Sequence, residues 1–216
     1  MRGNLRLSSG QKLISPKGCS TRPTSSRVRE AVMNLLGNNL QGNYWLDLFS
    51  GSGIMGCEAI IKGVEKVVAI EKDKDTAKIC KLNFERIITQ IKLKNNKVKV
   101  IQGEVISFLK KGPNLKSAQL KSNGIDFKFN LVYLDPPYMS NIYELVLENL
   151  LKKNWLKTNP IVICEHSSKL EIKAPKPWIE LDHRIYGESA ILMLTLPKDH
   201  FYDIDSKQPQ KGLKEL

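Results

Sequence analysis

Short runs of consecutive apolar residues alternate along this chain with longer stretches in which apolar residues recur every three or four positions. Tyr44–Phe49, Lys66–Glu71, Val98–Ile101, Asn130–Leu134 and Ile161–Cys164 each predict a strand. They lack the in–out alternation of a half-exposed sheet, so they suit strands buried on both faces. The stretches Ile54–Lys62, Lys74–Ile91, Glu104–Lys111 and Ile142–Leu151 predict the helices between them. An earlier helix opens with Ser25 or Ser26 as its N-cap, carries Val28, Val32, Leu35 and Leu36, and stops at Gly37-Asn38-Asn39. Trp178–Tyr186 and Ala190–Leu196 flank Gly187 and predict a terminal hairpin. Residues 1–24 read as an irregular arm, 112–126 as a polar insertion, and the segment after Pro197 as a polar tail.

Strand and helix alternation predicts an α/β fold: a mostly parallel sheet covered by helices on both faces and closed by an antiparallel hairpin. The expected division is a basic arm and helix over 1–41, one domain over 42–200, and a tail over 201–216. Ligands of such sheets bind at the carboxyl ends of the strands.

The length of 216 residues suits one full-sized core. No run of about 18 apolar residues predicts a membrane span, and the polar start has no signal-peptide h-region, so a cytoplasmic protein is expected. Cys19, Cys57, Cys80 and Cys164 are scattered, which predicts free buried thiols and no metal site. His166, His183 and His200 form no cluster and read as surface or cap residues; Trp45 and Met55 read as core.

The net charge of +12 is uneven. Residues 1–41 hold seven basic residues and one acid, and residues 87–130 hold nine and two. Basic blocks imply a polyanion partner bound with counterion release. The first block is mainly arginine, which forks onto phosphate. The second is lysine, equally a solvated face.

Two motifs carry candidate chemistry, both at predicted strand ends. Gly51-Ser-Gly53-Ile-Met-Gly56 follows a strand and opens a helix, with Glu71 placed to accept ribose hydroxyls. An NAD-dependent oxidoreductase is the competing reading. Asp47, four residues before Gly51, argues against it, because a carboxylate there repels pyrophosphate. It suits a ligand bearing an ammonium and a sulfonium, such as S-adenosylmethionine. Asp135-Pro136-Pro137-Tyr138 ends the fourth strand. Its prolines fix φ and remove two donors, leaving a rigid turn that presents acceptors and one aromatic face. Acceptors that hold both hydrogens of a nucleobase amino group free its lone pair for attack on a methyl sulfonium. This chemistry serves guanine N2 or adenine N6 alike. A non-catalytic RNA-binding protein would have let one motif decay, and neither has.

Together these motifs resemble those of class I amino-methyltransferases acting on nucleic acid. The stretch Thr21-Arg-Pro-Thr-Ser-Ser-Arg-Val-Arg-Glu-Ala31 is similar to the N-terminal signature of the RsmD family, bacterial guanine-N2 methyltransferases of 16S rRNA. The resemblance runs from about Pro16 to Leu196. It implies a sheet of seven strands, S-adenosylmethionine as cofactor, and 16S rRNA as substrate; the chain's small separate RNA-binding apparatus makes a small-subunit particle the expected form of that substrate, and a monomer is expected. It places Asp47, Phe49, Gly51, Ser52 and Gly53 at the methionine end, Glu71 and Lys72 at the ribose, and Gly103, Glu104 and Val105 near the adenine. It gives Asp135, Pro136, Pro137 and Tyr138 the catalytic role, and sets Arg22, Arg27 and Arg29 toward RNA or over the cofactor. Three features depart from the family: the opening segment is shorter, Gly103-Glu104-Val105 stands where Gly-Asp-Ala is common, and the 112–126 insertion is longer.

Overall fold

The computed structural model describes residues 5–16, 24–37, 40–92, 97–113, 128–137 and 142–198. Helix α1 spans Ser26–Leu36; Ser25 caps it by accepting the Val28 N–H. Strands β1 (Tyr44–Leu48), β2 (Lys66–Glu71), β3 (Val98–Gln102), β4 (Phe129–Leu134) and β5 (Leu156–Ser167) alternate with helices α2 (Ile54–Ile61), α3 (Lys74–Gln90), α4 (Val105–Lys110) and α5 (Ile142–Lys152). Strands β6 (Ile179–Tyr186) and β7 (Ser189–Thr195) form the terminal hairpin. The sheet has seven strands in the order β3-β2-β1-β4-β5-β7-β6. Strands β1 to β5 pair in parallel, and β7 enters antiparallel between β5 and β6.

Side-chain parity sorts the core into two layers. Trp45, Tyr133 and Ile163 face α1, α2 and α3, among Val28, Val32, Phe84 and Ile87. Leu46, Leu48, Val132, Leu134 and Cys164 face α4 and α5, among Phe108, Leu147 and Trp155. The Trp155 indole donates to the Leu109 carbonyl, so its one polar atom is satisfied in that dry layer. Asp47 and Glu165 share the parity of Trp45 and Ile163, so both carboxylates point toward the α1–α3 side.

Two elements differ from expectation. Strand β5 starts five residues before the predicted Ile161, at Leu156 opposite Phe129, and the register shifts before Leu131 pairs with Ile161. Thr158-Asn159-Pro160 supplies the irregularity, with Asn159 at φ 52°, which is why a polar turn-like stretch lies inside a strand. The arm is also more ordered than its Gly and Ser content suggests. Arg6 pairs with Lys12 across a tight reversal, and Leu5, Leu7 and Leu13 are buried against α1 and α2. Asn83, fully buried in α3, accepts from the Ile14 N–H and donates to the Ile14 carbonyl.

Candidate active site at the carboxyl edge of the sheet

The chain leaves β1 through Phe49, whose φ of 62° is a left-handed conformation uncommon for an aromatic residue. Ser50 N–H donates to the Ile70 carbonyl at 3.0 Å, and Gly53 N–H to the Ser50 carbonyl at 2.7 Å. These bonds close the turn that starts α2. The three glycines have separate reasons. A Cβ on Gly53, at φ 77°, would lie 2.7 Å from the Cys80 sulfur. One on Gly56 would lie 2.7 Å from the Phe84 ring, so that glycine lets α2 pack on α3. At Gly51, φ is 52° and no atom stands within 4 Å of a Cβ, leaving its backbone open to a ligand.

Glu71 holds this turn from the next strand. Its Oε2 accepts the Gly51 N–H at 2.9 Å and its Oε1 the Asp73 N–H at 2.8 Å. A carboxylate has about four acceptor positions, so capacity for ribose hydroxyls remains. The Lys72 carbonyl accepts from Gln102, and Gly103 N–H donates to the Glu71 carbonyl, which joins the β2 and β3 ends. Asn83 donates to the Ser52 carbonyl at 2.9 Å.

Asp47 is buried beneath the turn and accepts the Gly56 N–H at 3.1 Å. Burial raises its pKa to about 7, aided by the charge of Glu71 and opposed by the Gly56 hydrogen bond. A cation placed beside it would restore the ionised form. These acids and the open Gly51 backbone fit a sulfonium cofactor and do not fit a pyrophosphate.

Glu104 has a structural task that its expected place near an adenine did not include. It caps α4, accepting the Ile106 N–H at 3.0 Å and the Ser107 N–H at 2.6 Å, immediately before Val105. No Cβ neighbour stands within 4 Å of Gly103, so the backbone before this cap is open.

The chain leaves β4 at Asp135-Pro136-Pro137; Tyr138 lies outside the described residues, as do Arg22, Cys19, His200 and most of the 112–126 insertion. Burial first, then the charges of Glu165 and Asp47, push the Asp135 carboxyl well above the usual carboxylate range. The Tyr133 hydroxyl donates to Glu165, and the Tyr143 hydroxyl donates to the Glu165 backbone carbonyl at 2.7 Å. Sequence reasoning ended the fifth strand at Cys164 and missed Glu165. Its signal was an acid directly following an apolar run, in the same parity as Ile163.

Arg27 and Arg29 separate. Arg27 is exposed, with its guanidinium 5.8 Å from the centre of the Tyr186 ring. Arg29, expected to face RNA or the cofactor, is buried. Its Nη1 donates to the Thr24 carbonyl at 2.7 Å and its Nη2 to the Arg6 carbonyl at 2.6 Å, while Nε lies 3.5 Å from Glu58. Glu58 also accepts from the Ser8 backbone and hydroxyl. The charge cannot reach an external phosphate because it ties the arm to α1 and α2. His166 is likewise buried, against the expectation of a surface residue. Its Nδ1 lies 2.9 Å from the Ser167 carbonyl, and burial lowers its pKa. Cys57, Cys80 and Cys164 are free and buried as expected. Among the described residues no group of His, Cys, Asp or Glu is arranged to hold a metal, and no helix is long and apolar enough to cross a membrane.

A seven-stranded sheet of this order, with an inserted antiparallel β7 and a glycine turn after β1, is the class I methyltransferase fold. Residues 5–195 match the family described as Conserved hypothetical protein 95, and the chain belongs to it; this is the RsmD family. A relative from Haemophilus influenzae, named Ribosomal RNA small subunit methyltransferase D, is 30% identical over 82% of this chain and 84% of its own length. A solved conserved hypothetical protein from Streptococcus pyogenes is 27% identical, with a TM-score of 0.65, covering 79% of this chain and 96% of that one. A solved RNA methyltransferase from Salinibacter ruber, in complex with S-adenosyl-L-homocysteine, shares the fold at 16% identity and a TM-score of 0.55, covering 90% of this chain and all of that one.

Proposed function

We propose that this chain transfers a methyl group from S-adenosylmethionine to the exocyclic N2 of one guanine in 16S rRNA. The observation that carries the reading is the acceptor-only Asp135-Pro136-Pro137 turn at the end of β4, the strand beside β1 and its open glycine turn. The family match supports RNA as the substrate, since a relative named for small-subunit ribosomal RNA covers most of the chain.

The bound cofactor supplies an electrophilic methyl. The chain supplies position and charge. Asp47, beneath the turn, supplies negative charge toward the ammonium end, Glu71 offers acceptors to the ribose, and the Gly51 backbone leaves room for close approach. Lys72 stands with Glu71 at the ribose end, Gly103, Glu104 and Val105 border the adenine end, and Phe49, Ser52 and Gly53 complete the turn. Asp135 and the Pro136 carbonyl accept the two amino hydrogens of the guanine, with Pro137 holding the turn rigid and Tyr138 offering a ring face. Positioning of this kind accounts for a large part of a barrier. Arg27, with Arg22, faces phosphate. The chain acts as a monomer in the cytoplasm, on a small-subunit particle whose proteins complete the docking surface.

Labelled S-adenosylmethionine incubated with the chain and small subunits lacking the modification should place label in 16S rRNA. No label in the 16S rRNA, or label confined to the subunit's proteins, would remove the reading.

A further inference from the structure

An acceptor turn for an exocyclic amine serves guanine and adenine alike, and the ring atom beside the amine separates them. In guanine the neighbouring N1 carries a hydrogen. In adenine the neighbouring N1 is a bare lone pair. A site that reads the Watson–Crick edge of an extruded base can tell the two apart by what it presents next to its amine acceptor.

What stands next to Asp135 is Glu165. Strands β4 and β5 run parallel with Leu134 opposite Cys164, so the following positions, Asp135 and Glu165, are neighbours about 5 Å apart across the strands. Both continue the parity of Tyr133 and Ile163, which lie on the α1–α3 side. Glu165 is 5% exposed. The Tyr133 hydroxyl donates to its carboxylate, and the Tyr143 hydroxyl donates to its backbone carbonyl at 2.7 Å, so both ends of the residue are held. The Tyr133 hydrogen takes one of about four acceptor positions on a carboxylate. Burial raises the Glu165 carboxyl, and the Tyr133 hydrogen bond and the charge of Arg29 oppose that rise. A donor on a bound base adds to the opposition and favours the anion. Asp135 serves as an acceptor in either protonation state, because a carboxyl keeps a carbonyl oxygen.

We propose that Glu165 determines which base is methylated: its carboxylate accepts the N1–H of the target guanine while Asp135 and the Pro136 carbonyl hold the N2 amine. Those two acceptors already account for both amino hydrogens, which leaves Glu165 the next donor along the edge. An adenine seated by its own amine turns the N1 lone pair toward the same carboxylate. The two repel, and a buried acceptor loses its donor, which is how polar sites reject close analogues most strongly. The inference rests on the reading of Asp135 as the acceptor for the target amine.

The base 2,6-diaminopurine tests this without altering the protein, since it keeps the N2 amine and has a bare N1. Small subunits reconstituted with guanine or 2,6-diaminopurine at the methylated position are the two substrates, and the N2-methylated nucleoside is the readout. Wild type should favour guanine at least about 100-fold in kcat/KM. In Glu165→Gln the Tyr133 hydroxyl can keep the amide oxygen while the amide N–H turns to the bare N1, so the preference should fall at least about tenfold. Glu165→Ala, with neither donor nor acceptor, should lower it as well. Comparable wild-type rates on the two substrates, or the wild-type preference retained in both variants, overturns the proposal. A wild type that leaves the guanine subunits unmethylated sinks the functional reading instead.

Discussion

Glu71 accepts the Gly51 N–H at 2.9 Å, so the acid ending β2 holds the turn that ends β1. One side chain thereby shapes the cofactor turn and faces the cofactor. Glu71→Ala removes a charged hydrogen bond of about 1.5–3 kcal/mol together with the ribose acceptor. Calorimetry should show S-adenosylmethionine affinity reduced at least about tenfold. Unchanged affinity would remove Glu71 from the site.

Asp47 makes stability depend on pH with an unusual sign for an acid. Its folded pKa of about 7 lies above the ordinary aspartate value of 3.8. Between these values the native state binds more protons than the unfolded chain, so this group's contribution is full below the lower value and lost as pH rises through the upper. Asp47→Asn keeps an acceptor for the Gly56 N–H and removes the buried charge. The variant should therefore be more stable than wild type above about pH 8, by an order of 2–4 kcal/mol, with the difference vanishing in acid. Denaturant midpoints at the two pH values check this, and the same variant should bind cofactor more weakly.

Cofactor binding should release protons near neutral pH for the same reason. A sulfonium and ammonium beside Asp47 favour its ionised form. The calorimetric binding enthalpy should vary with the ionisation enthalpy of the buffer in wild type and not in Asp47→Asn. Equal buffer dependence in both would place the proton elsewhere.

Arg27 and Arg29 should behave as opposites. Arg29→Ala leaves Glu58 buried without its cation and frees the Thr24 and Arg6 carbonyls, costing about 3–5 kcal/mol. Thermal unfolding should show this directly. Arg27→Ala should leave the unfolding midpoint unchanged, weaken rRNA binding and reduce the salt slope of affinity by about 1. A stable Arg29→Ala chain would contradict the buried arrangement.

Much of this architecture was legible because its strands are apolar runs that need no tertiary information. Strand β2 falls on its predicted residues, Lys66–Glu71. The β5 extension was hidden because Thr158-Asn159-Pro160 has turn chemistry and forms a bulge. The packing of the irregular arm was hidden because Leu5, Leu7 and Leu13 are separated by Ser8-Ser9-Gly10, whose reversal brings them onto one buried face. Arg29 lies three and four residues before Val32 and Met33, which places it on the buried stripe of α1, and its charge obscured that spacing. The glycine motif, Asp47 and Asp135 could be picked out as single residues of unusual type. Glu165 is notable through what it touches, Tyr133 on β4 and Tyr143 on α5, and those contacts join segments apart in the chain.

The most direct test is the identity of the methylated nucleoside. Small subunits lacking the modification, treated with the chain and labelled S-adenosylmethionine, should yield labelled N2-methylguanosine on complete digestion of their 16S rRNA, with none from Asp135→Ala. Labelled N6-methyladenosine, or label from the Asp135→Ala chain at the wild-type rate, would contradict the account.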